Sequence, residues 1–424
     1  MSIPTQFSCV HADGIKRRAR GWLPILLFGL ATVMTCAEPF YQERLIFPLQ
    51  PKHVHASSVI ECPDGSLLCA WFHGSGERTS LDVVIQGARL KKDAASWSEV
   101  FPMADTPNLP DCNPVLFVGP SRELWLFWIA VPADRWEDSL LRFRKAQDYT
   151  GEGPPKWAWQ DDLLLEPGDR FAVEMADKFH QLRPTLPGPN DPQGRSLGAV
   201  MARLQLEAWD KSKRQRGWMT RCHLAVLPSG RILLPLYSDG FLAGLMAISD
   251  DQGKSWRAGG PIIGAALNQP SVVRKKDGTL LAYLREEAFD AADDRQLTHR
   301  IQLSQSRDEG ETWSLAVPTD LPNPNASIEV LALRDGRWVL VYNDTENDRH
   351  SLSLLMSDDE GASWKWKRHL DDMPGGRFHY PSIIQVRDGR IQVTYTYQPG
   401  ADAGRSIKHV SLDPDWIKAA NPGT

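Results

Sequence analysis

The sequence SDDQGKSW at residues 249–256 decides the fold, because the same pattern occurs twice more along the chain. The later copies are SRDEGETW at 306–313 and SDDEGASW at 357–364. All three have the form S-x-D-x-G-x-x-W, which suits a tight hairpin turn. The aspartate accepts backbone N–H bonds, the glycine takes a positive φ, and the tryptophan fills the gap between neighbouring sheets. The copies lie 57 and 51 residues apart, which indicates a repetitive fold.

A second repeat accompanies the first one. Each copy opens on a residue next to Pro, Ser or Ala, continues as an apolar run, reaches a glycine turn and restarts as a strand. The copies begin at His55, Asn113, His223, Gln269, Asn325 and Tyr380. Most intervals between these starts are 46 to 58 residues, so each repeat has room for four short strands. Six copies predict an all-β, six-bladed β-propeller with four-stranded antiparallel blades.

One interval is irregular, because 110 residues separate Asn113 from His223. Within it, residues 184–192 are rich in proline. After them, apolar residues recur at the spacing of one helix face. These residues are Leu197, Val200, Met201, Leu204 and Ala208. We therefore predict a helical or loop insertion at about residues 160–217 rather than a seventh blade.

The composition is that of an ordinary globular protein. Of its 424 residues, 42% are hydrophobic and 24% are charged. These values exclude disordered, collagen-like and coiled-coil classes. The formal net charge is −5 and no basic block follows the first twenty residues, which argues against a nucleic-acid partner. We expect residues 38–424 to form a single propeller domain, with a strand from residues 38–54 closing the ring.

The beginning of the chain has the order of a secretory signal. A basic patch comes first, then the apolar run WLPILLFGLATVM at 22–34, then the small residue Ala37. The run is shorter than the roughly 20 apolar residues that a membrane span needs. We therefore predict that residues 1–37 are a signal peptide and that the protein is secreted or periplasmic. The alternative is an uncleaved membrane anchor.

The cysteines do not suggest a metal site. After residue 37 the chain contains Cys62, Cys69, Cys112 and Cys222, and none of them forms a CxxC pair. Zinc binding is therefore not expected, and buried thiols are the favoured interpretation. No phosphate-binding loop, nucleophile elbow or metal-ligand cluster is present in the sequence, so no cofactor is expected.

With its repeats and its export signal, the chain resembles the sialidase (neuraminidase) superfamily, in which S-x-D-x-G-x-x-W is called the Asp-box. The closer likeness is to the bacterial and plant branch described as exo-α-sialidase-like, over roughly residues 45 to 415. It rests on the phrases His55-Ala56-Ser57, Asn113-Pro114-Val115-Leu116, Asn323-Pro324-Asn325 and Tyr380-Pro381-Ser382. The Asp-box also occurs in xyloglucanases and in non-enzymatic sorting receptors, so it indicates fold more strongly than activity.

The resemblance implies a set of site residues. Sialidases hold the sugar carboxylate with three arginines, attack with a tyrosine that a glutamate activates, and protonate through an aspartate. The matching positions are Arg285 for the second arginine, Arg349 for the third and Tyr380 for the nucleophile. Three positions depart from the pattern. His55 occupies the place of the first arginine, Gln269 that of the glutamate, and Glu77 is the nearest carboxylate to the place of the acid.

The residues themselves support a sugar-binding mouth. In a propeller the inner strands begin around the central axis, so the polar residues that open the six repeats are expected to converge. The substrate-binding candidates among them are Asn113, His223, Gln269 and Asn325. The forked guanidiniums of Arg285 and Arg349 suit a carboxylate, with Arg221 as a candidate third arginine. The alternative for Arg285 and Arg349 is a structural ion pair with Glu286, Glu287 or Asp348.

From these candidates we predict an exported glycoside hydrolase that acts on the non-reducing end of an acidic glycan, as a monomer. Tyr380 would attack and Glu77 would protonate the leaving oxygen, while His55, His379 and Glu329 are candidate bases. Two alternatives stay open. The same residues permit a uronate-specific lyase, in which a His or Tyr base removes the C5 proton, or a carbohydrate-binding propeller without turnover.

Overall fold

The computed structural model of the protein describes residues 38–289 and 296–419. The predicted signal peptide at 1–37 lies outside the described residues. In the described part, six antiparallel sheets follow one another along the chain, so the predicted six-bladed propeller is confirmed.

The strands are assigned to the blades in chain order, except for the first, β1 (Tyr41–Leu45). Blade one contains β2 (His53–Glu61), β3 (Leu67–Gly74), β4 (Val84–Leu90) and β5 (Phe101–Ala104). Blade two contains β6 (Asp111–Val118), β7 (Leu124–Ala130), β8 (Leu140–Ala146) and β9 (Trp159–Asp162). Blade three contains β10 (Met219–Thr220), β11 (Ala225–Val226), β12 (Ile232–Ser238), β13 (Ala243–Ser249) and β14 (Arg257–Ala258). Its inner strand is interrupted, since β10 and β11 both pair with β12.

The remaining blades are regular. Blade four contains β15 (Leu267–Arg274), β16 (Leu280–Glu286), β17 (Arg300–Ser306) and β18 (Val317–Pro322). Blade five contains β19 (Glu329–Ala332), β20 (Trp338–Tyr342), β21 (Ser351–Ser357) and β22 (Trp366–Asp372). Blade six contains β23 (Arg377–Gln385), β24 (Ile391–Gln398) and β25 (Ser406–Leu412), and takes β1 as its outer strand.

Strand β1 closes the ring. It pairs antiparallel with β25, from Tyr41 opposite Leu412 to Leu45 opposite Lys408. The closing strand predicted within residues 38–54 is therefore confirmed. An unpaired outer edge would invite association with other chains, and this pairing covers it while linking the beginning of the propeller to its end.

Burial explains why the second strands of the blades are continuous apolar runs. Every residue of β7 (LWLFWIA) and of β12 (ILLPLYS) is buried. These strands pack against neighbouring blades on both faces, so neither face can carry the polar residues of a half-solvated sheet. The outer strands are different, and all four residues of β9 are exposed. The free thiols of Cys62, Cys69, Cys112 and Cys222 are buried.

The Asp-box turns have the predicted geometry. In the first copy, Asp251 accepts backbone N–H bonds from Lys254 at 3.0 Å and Ser255 at 2.9 Å. Gly253 has a φ of +83° and donates its N–H to the Ser249 hydroxyl at 2.8 Å. The tryptophan of this copy, Trp256, belongs to blade three, and its ring lies 6.3 Å from that of Trp125 in blade two. The turn therefore fastens one blade to the next.

Replacing Gly253 by alanine is expected to lower the free energy of unfolding by about 2–4 kcal/mol. A Cβ there would lie 2.7 Å from the Trp125 ring, in a backbone conformation that alanine adopts at a cost. The matched control is Gly389→Ala, where φ is +101° but no atom lies within 4 Å of the added Cβ. It is expected to cost only about 1 kcal/mol. Equal losses in urea denaturation would contradict the packing role of this turn.

The irregular interval contains helices. Between β9 and β10 lie α1 (Asp169–Leu182), α2 (Pro192–Glu207) and α3 (Lys211–Arg214). Short 3-10 turns occur at Pro132–Asp134, Trp136–Asp138, Arg183–Thr185 and Pro414–Lys418. Helix α2 buries Leu197, Met201 and Leu204, as its apolar spacing predicts. Among the residues described, no helix combines the length and apolarity that crossing a membrane requires.

Candidate functional site

A repeated backbone irregularity sets the side chains of the site. Ala56, Asn113, Gln269, Asn325 and Tyr380 all have φ between +51° and +56°, an uncommon region for residues other than glycine. In four of these inner strands the pairing register shifts at this point, which is the signature of a β-bulge. Bulges re-aim side chains and are frequent next to active sites. The sequence shows the repeated position but not its left-handed backbone.

The first blade differs from the predicted alignment by one residue. In that strand His55 pairs opposite Phe72 and Ser58 opposite Ala70, so Ala56 occupies the left-handed position. His55 therefore lies one residue before the position equivalent to Tyr380. The predicted start of the first repeat at His55 is wrong by one residue, because the bulge cannot be read from the apolar run.

A cavity of about 460 Å³ lies where these strands begin. It is polar and carries charges of both signs. Its basic and acidic lining residues are Arg285, Arg349, Arg377, Arg405, Glu77, Asp239 and Glu287. The other lining residues are His53, His55, His379, Phe72, Asn113, Trp136, Tyr237, Asn268, Gln269 and Tyr380.

Tyr380 is the centre of a hydrogen-bond network. Its phenol oxygen accepts a bond from Nη1 of Arg285 at 2.6 Å and a bond from Nε2 of Gln269 at 3.2 Å. Both donors point at the same oxygen, so negative charge that develops on it would be met by two hydrogen bonds. The neighbour that the superfamily pattern would make a glutamate base is here an amide donor.

The guanidinium of Arg285 contacts three side chains. Besides Tyr380, it donates from Nε to Oδ1 of Asn325 at 2.6 Å and forms an ion pair with Glu287, with Nη2 2.8 Å from Oε2. Burial opposes its charge, but Glu287, and after it Tyr380, raise the pKa of Arg285 above its usual value. The ion pair with Glu287 that the sequence left as an alternative is present, so little of this guanidinium is left for a ligand.

Arg349 makes fewer polar contacts than Arg285. One of its guanidinium nitrogens donates to the backbone oxygen of Asn325, and its guanidinium carbon lies 5.7 Å from the centre of the Tyr380 ring. Among the described carboxylates it has no ion-pair partner. Burial, and the positive charges of Arg285 and Arg377, lower the pKa of Arg349 to about 10. A bound anion would relieve this unbalanced charge.

His55 contacts the tyrosine ring directly. The two ring centres are 4.0 Å apart, and Nδ1 of His55 lies 3.2 Å from the Thr396 hydroxyl. Burial first, and then the nearby His379 and His53, hold the pKa of His55 well below its usual range. The imidazole is therefore neutral near pH 7, which is the form that can accept a proton.

Glu77 reaches the cavity from the β3–β4 loop. Its Oε1 lies 3.1 Å from Nε2 of His53, and a guanidinium nitrogen of Arg405 contacts Nδ1 of the same histidine. Burial acts to raise the pKa of Glu77, but His53, Arg78 and Arg349 together lower it. The carboxyl is thus ionised near pH 7 and must gain a proton before it can act as an acid.

Three predicted site residues do not line the cavity, namely Asn325, His223 and Arg221. His223 lies between Glu329, 2.9 Å from its Nδ1, and the backbone oxygen of Val59, 2.9 Å from its Nε2. Arg221 donates to the backbone oxygens of Ser57 at 3.3 Å and Pro381 at 2.6 Å. Both side chains join inner strands of different blades.

The amide candidates are used within the site. Asn325 holds Arg285 and Arg349 through the contacts given above. Asn113 lines the cavity and donates to the Tyr237 hydroxyl at 3.0 Å.

The structure joins Glu287 to a second carboxylate, Asp239, which the sequence analysis missed. Nδ2 of Asn268 donates to Oδ1 of Asp239 at 3.1 Å and to Oε2 of Glu287 at 2.7 Å. Burial, and then the negative charge of Glu287, raise the pKa of Asp239 to about 7. The sequence analysis named Glu287, but only as a candidate ion-pair partner of Arg285. Nothing near Asp239 in the sequence marks it.

Asp239→Asn is expected to stabilise the protein progressively as the pH rises from about 4 to about 8. The folded-state pKa of Asp239 lies above the usual value, so in that range the folded protein binds more protons than the unfolded chain. Linkage then makes the wild type lose stability with rising pH, and the asparagine variant lacks this loss. Urea denaturation at both pH values measures the difference. A gain that is the same at both values would contradict the raised pKa.

Within residues 38–289 and 296–419, no group of three or more His, Cys, Asp or Glu side chains is arranged to hold a metal ion. The cavity offers a phenol oxygen between two donors, a neutral imidazole and a carboxyl, next to an arginine that has no ion pair with a described carboxylate.

Comparison with known proteins identifies the family of the chain. The chain matches the BNR repeat-like domain family over residues 65–177 and 187–393. It is similar to a sialidase of Micromonospora viridifaciens, with 24% identity over 189 residues, which cover 42% of this chain and 26% of that protein. An anhydrosialidase of Macrobdella decora is 26% identical over 200 residues, covering 39% of this chain and 23% of that protein. The matched part thus spans about a quarter of each relative.

Solved structures show the same fold. The NanB sialidase of Streptococcus pneumoniae superposes with a TM-score of 0.64 at 13% sequence identity. The superposition covers 88% of this chain and 71% of that structure. At this identity the likeness extends to the propeller architecture and not to the contents of the site.

Proposed function

Because this chain belongs to the BNR repeat-like domain family of the sialidase superfamily, we propose that it is a glycoside hydrolase that removes an acidic sugar from the non-reducing end of a glycan. Its relation to known sialidases is distant, and the proposal therefore rests mainly on the cavity. The observation that carries it is the position of Tyr380, whose oxygen lies 2.6 Å from Arg285. The ring of the same tyrosine lies beside Arg349, an arginine without a described carboxylate partner.

In the proposed reaction Arg349 binds the carboxylate of the sugar and Tyr380 attacks the anomeric carbon. The bond from that carbon to the leaving oxygen breaks, and Glu77 gives the leaving oxygen a proton. A water molecule then cleaves the bond between the sugar and the tyrosine. Glu77 starts ionised, but the negative charge of a bound sugar acid next to it favours its protonated form.

The proton of Tyr380 needs an acceptor. Gln269 cannot take it, because an amide nitrogen only donates. His55 is the best-placed candidate, since it is neutral and its ring centre lies 4.0 Å from that of Tyr380. Of the other candidate bases, His379 also lines the cavity, but Glu329 is occupied by His223.

The test is to incubate the protein with a panel of sialosides and uronate-ended oligosaccharides. Products are followed by mass spectrometry and by absorbance of unsaturated uronates. Cleavage with the gain of one water mass supports the hydrolase. A new double bond without added water would instead identify a lyase.

A carbohydrate-binding protein without turnover is the second candidate, and Gln269 favours it. An amide in place of a carboxylate beside the tyrosine removes the base that the superfamily mechanism uses. Binding of an acidic sugar in calorimetry, with no product after prolonged incubation, would establish this alternative and overturn the hydrolase.

We also propose that the protein acts outside the cytoplasm as a monomer, with residues 1–37 as its signal peptide. The basic patch and the apolar run at 22–34 support export. Expression in a bacterial host, followed by N-terminal sequencing of the exported protein, tests the first point. Light scattering tests the second.

A further inference from the structure

The charges of the described residues that line the cavity do not balance. Four arginines face three carboxylates there, and the carboxylates are unevenly shared. Arg285 forms its ion pair with Glu287, and Asn268 bridges Glu287 to Asp239. Arg349, Arg377 and Arg405 remain, and Glu77 is the described lining carboxylate left for these three. Among the residues that the structure describes, three positive charges against one negative charge leave a surplus of two.

The three arginines line the same cavity. Arg377 is an exposed residue at the start of β23 that lines the cavity, and its guanidinium makes no hydrogen bond or ion pair with another described residue. Arg405 donates to Oε1 of Gln398 at 3.1 Å and to Nδ1 of His53, and it forms no ion pair with a described carboxylate. Besides burial, the charge of Arg377 lowers the pKa of Arg349 and of Arg405.

His379 lies in the same positively charged surroundings. It lines the cavity, is 7% exposed, and its Nδ1 has no hydrogen-bond partner among the described residues. Burial first, and then Arg349, Arg377 and Arg405, hold the pKa of His379 well below its usual range. Buried polar atoms normally have hydrogen-bond partners, so Nδ1 of His379 is available to a group bound in the cavity.

We propose that Arg377 and Arg405, together with His379, form a second oxyanion subsite in the cavity, which receives an additional anionic group of the sugar such as a sulfate ester or a second carboxylate. This inference rests on the proposed function and defines its substrate class as a doubly anionic sugar. One anionic group lies at Arg349 and the other at Arg377 and Arg405. The two surplus positive charges of the described lining residues equal the two negative charges of such a sugar. A sugar with a single acidic group would offset only one of them.

The first test uses inorganic sulfate as the probe in isothermal titration calorimetry. Arg377→Gln is expected to weaken sulfate binding about ten-fold or more, since one charged hydrogen-bonding group is lost. The matched control is Arg307→Gln, which removes the same charge from an exposed arginine that does not line the cavity. Equal sulfate affinity in the wild type and in Arg377→Gln overturns the subsite. Arg405→Gln gives an independent check, with the same loss expected.

The second test identifies the group. Methyl glycosides of a sialic acid are compared in three forms, which carry a sulfate, a carboxymethyl or an acetyl group on the same hydroxyl. The two charged forms are expected to bind about ten-fold more tightly than the acetylated form, and Arg377→Gln is expected to abolish that ratio. A higher affinity for the sulfated form identifies a sulfate ester, and a higher affinity for the carboxymethylated form identifies a carboxylate. Equal binding of all three forms overturns the proposal.

These outcomes are separable from those of the proposed function, because they measure binding and not turnover. A charge-dependent ratio without any cleavage would refute the hydrolase and support the subsite. Cleavage without such a ratio would do the opposite.

Discussion

Tyr380→Phe is expected to reduce turnover by roughly 10³-fold or more, because it removes the atom that forms the bond to the sugar. Affinity for the intact substrate is expected to stay within about two-fold, since Arg349 and the other arginines that bind the anion are unchanged. Initial rates measured by product formation, and calorimetry with a non-cleavable ligand, separate the two effects.

The matched control is Tyr397→Phe. Tyr397 is partly buried against Phe378 at a ring-centre distance of 5.3 Å, and its hydroxyl bonds to no other described residue. It also lies outside the cavity, so activity is expected to be unchanged. If Tyr380→Phe keeps most of its activity, Tyr380 is neither nucleophile nor base, and the reaction proposed above fails.

Arg285→Ala is expected to lower the free energy of unfolding by about 3 kcal/mol, more than it affects ligand binding. The alanine leaves Glu287 without its cation, and Asn268 holds a second carboxylate, Asp239, next to it. Burial of the ion pair makes the loss large, because the exposed fractions of the two side chains are 9% and 16%. Urea denaturation measures this loss in the free energy of unfolding, provided that its dependence on urea concentration has the same slope in both proteins.

Two further variants isolate the cause. Arg285→Ala with Glu287→Ala is expected to recover part of the loss, since the unpaired carboxylate is then gone. Arg349→Ala removes a cavity arginine that has no described carboxylate partner, and is expected to cost much less stability. If the two single arginine variants are equally destabilised, the ion pair with Glu287 is not what stabilises this wall of the cavity.

Much of the fold could be predicted because its signals are local. The Asp-box contains the turn residues, the glycine and the packing tryptophan within eight residues, so each copy by itself predicts a turn. The paired apolar runs mark the inner and second strands in the same way. The helical insertion was visible because Leu197, Met201 and Leu204 recur on one helix face. The closing strand β1 could also be predicted, because the outer edge of the last blade needs a partner.

The site could be predicted only in part. Tyr380, Arg285 and Gln269 follow from their places in the repeats, and the structure does bring them together. The one-residue error at His55 arose because a bulge inserts a residue without changing the apolar pattern. The sequence predicted that His223 lines the cavity. In the structure its imidazole instead contacts Glu329, which lies 106 positions away in the sequence.

What the sequence alone determined is therefore the architecture and the chemical types that begin each inner strand. Only the tertiary structure decided which charges meet. Arg377, Arg405 and Asp239 lie on different segments and belong to no motif, yet they line the same cavity. The energy of a charge depends on its distance to other charges and on its burial, and residues far apart in the chain acquire both only when the blades close into a ring.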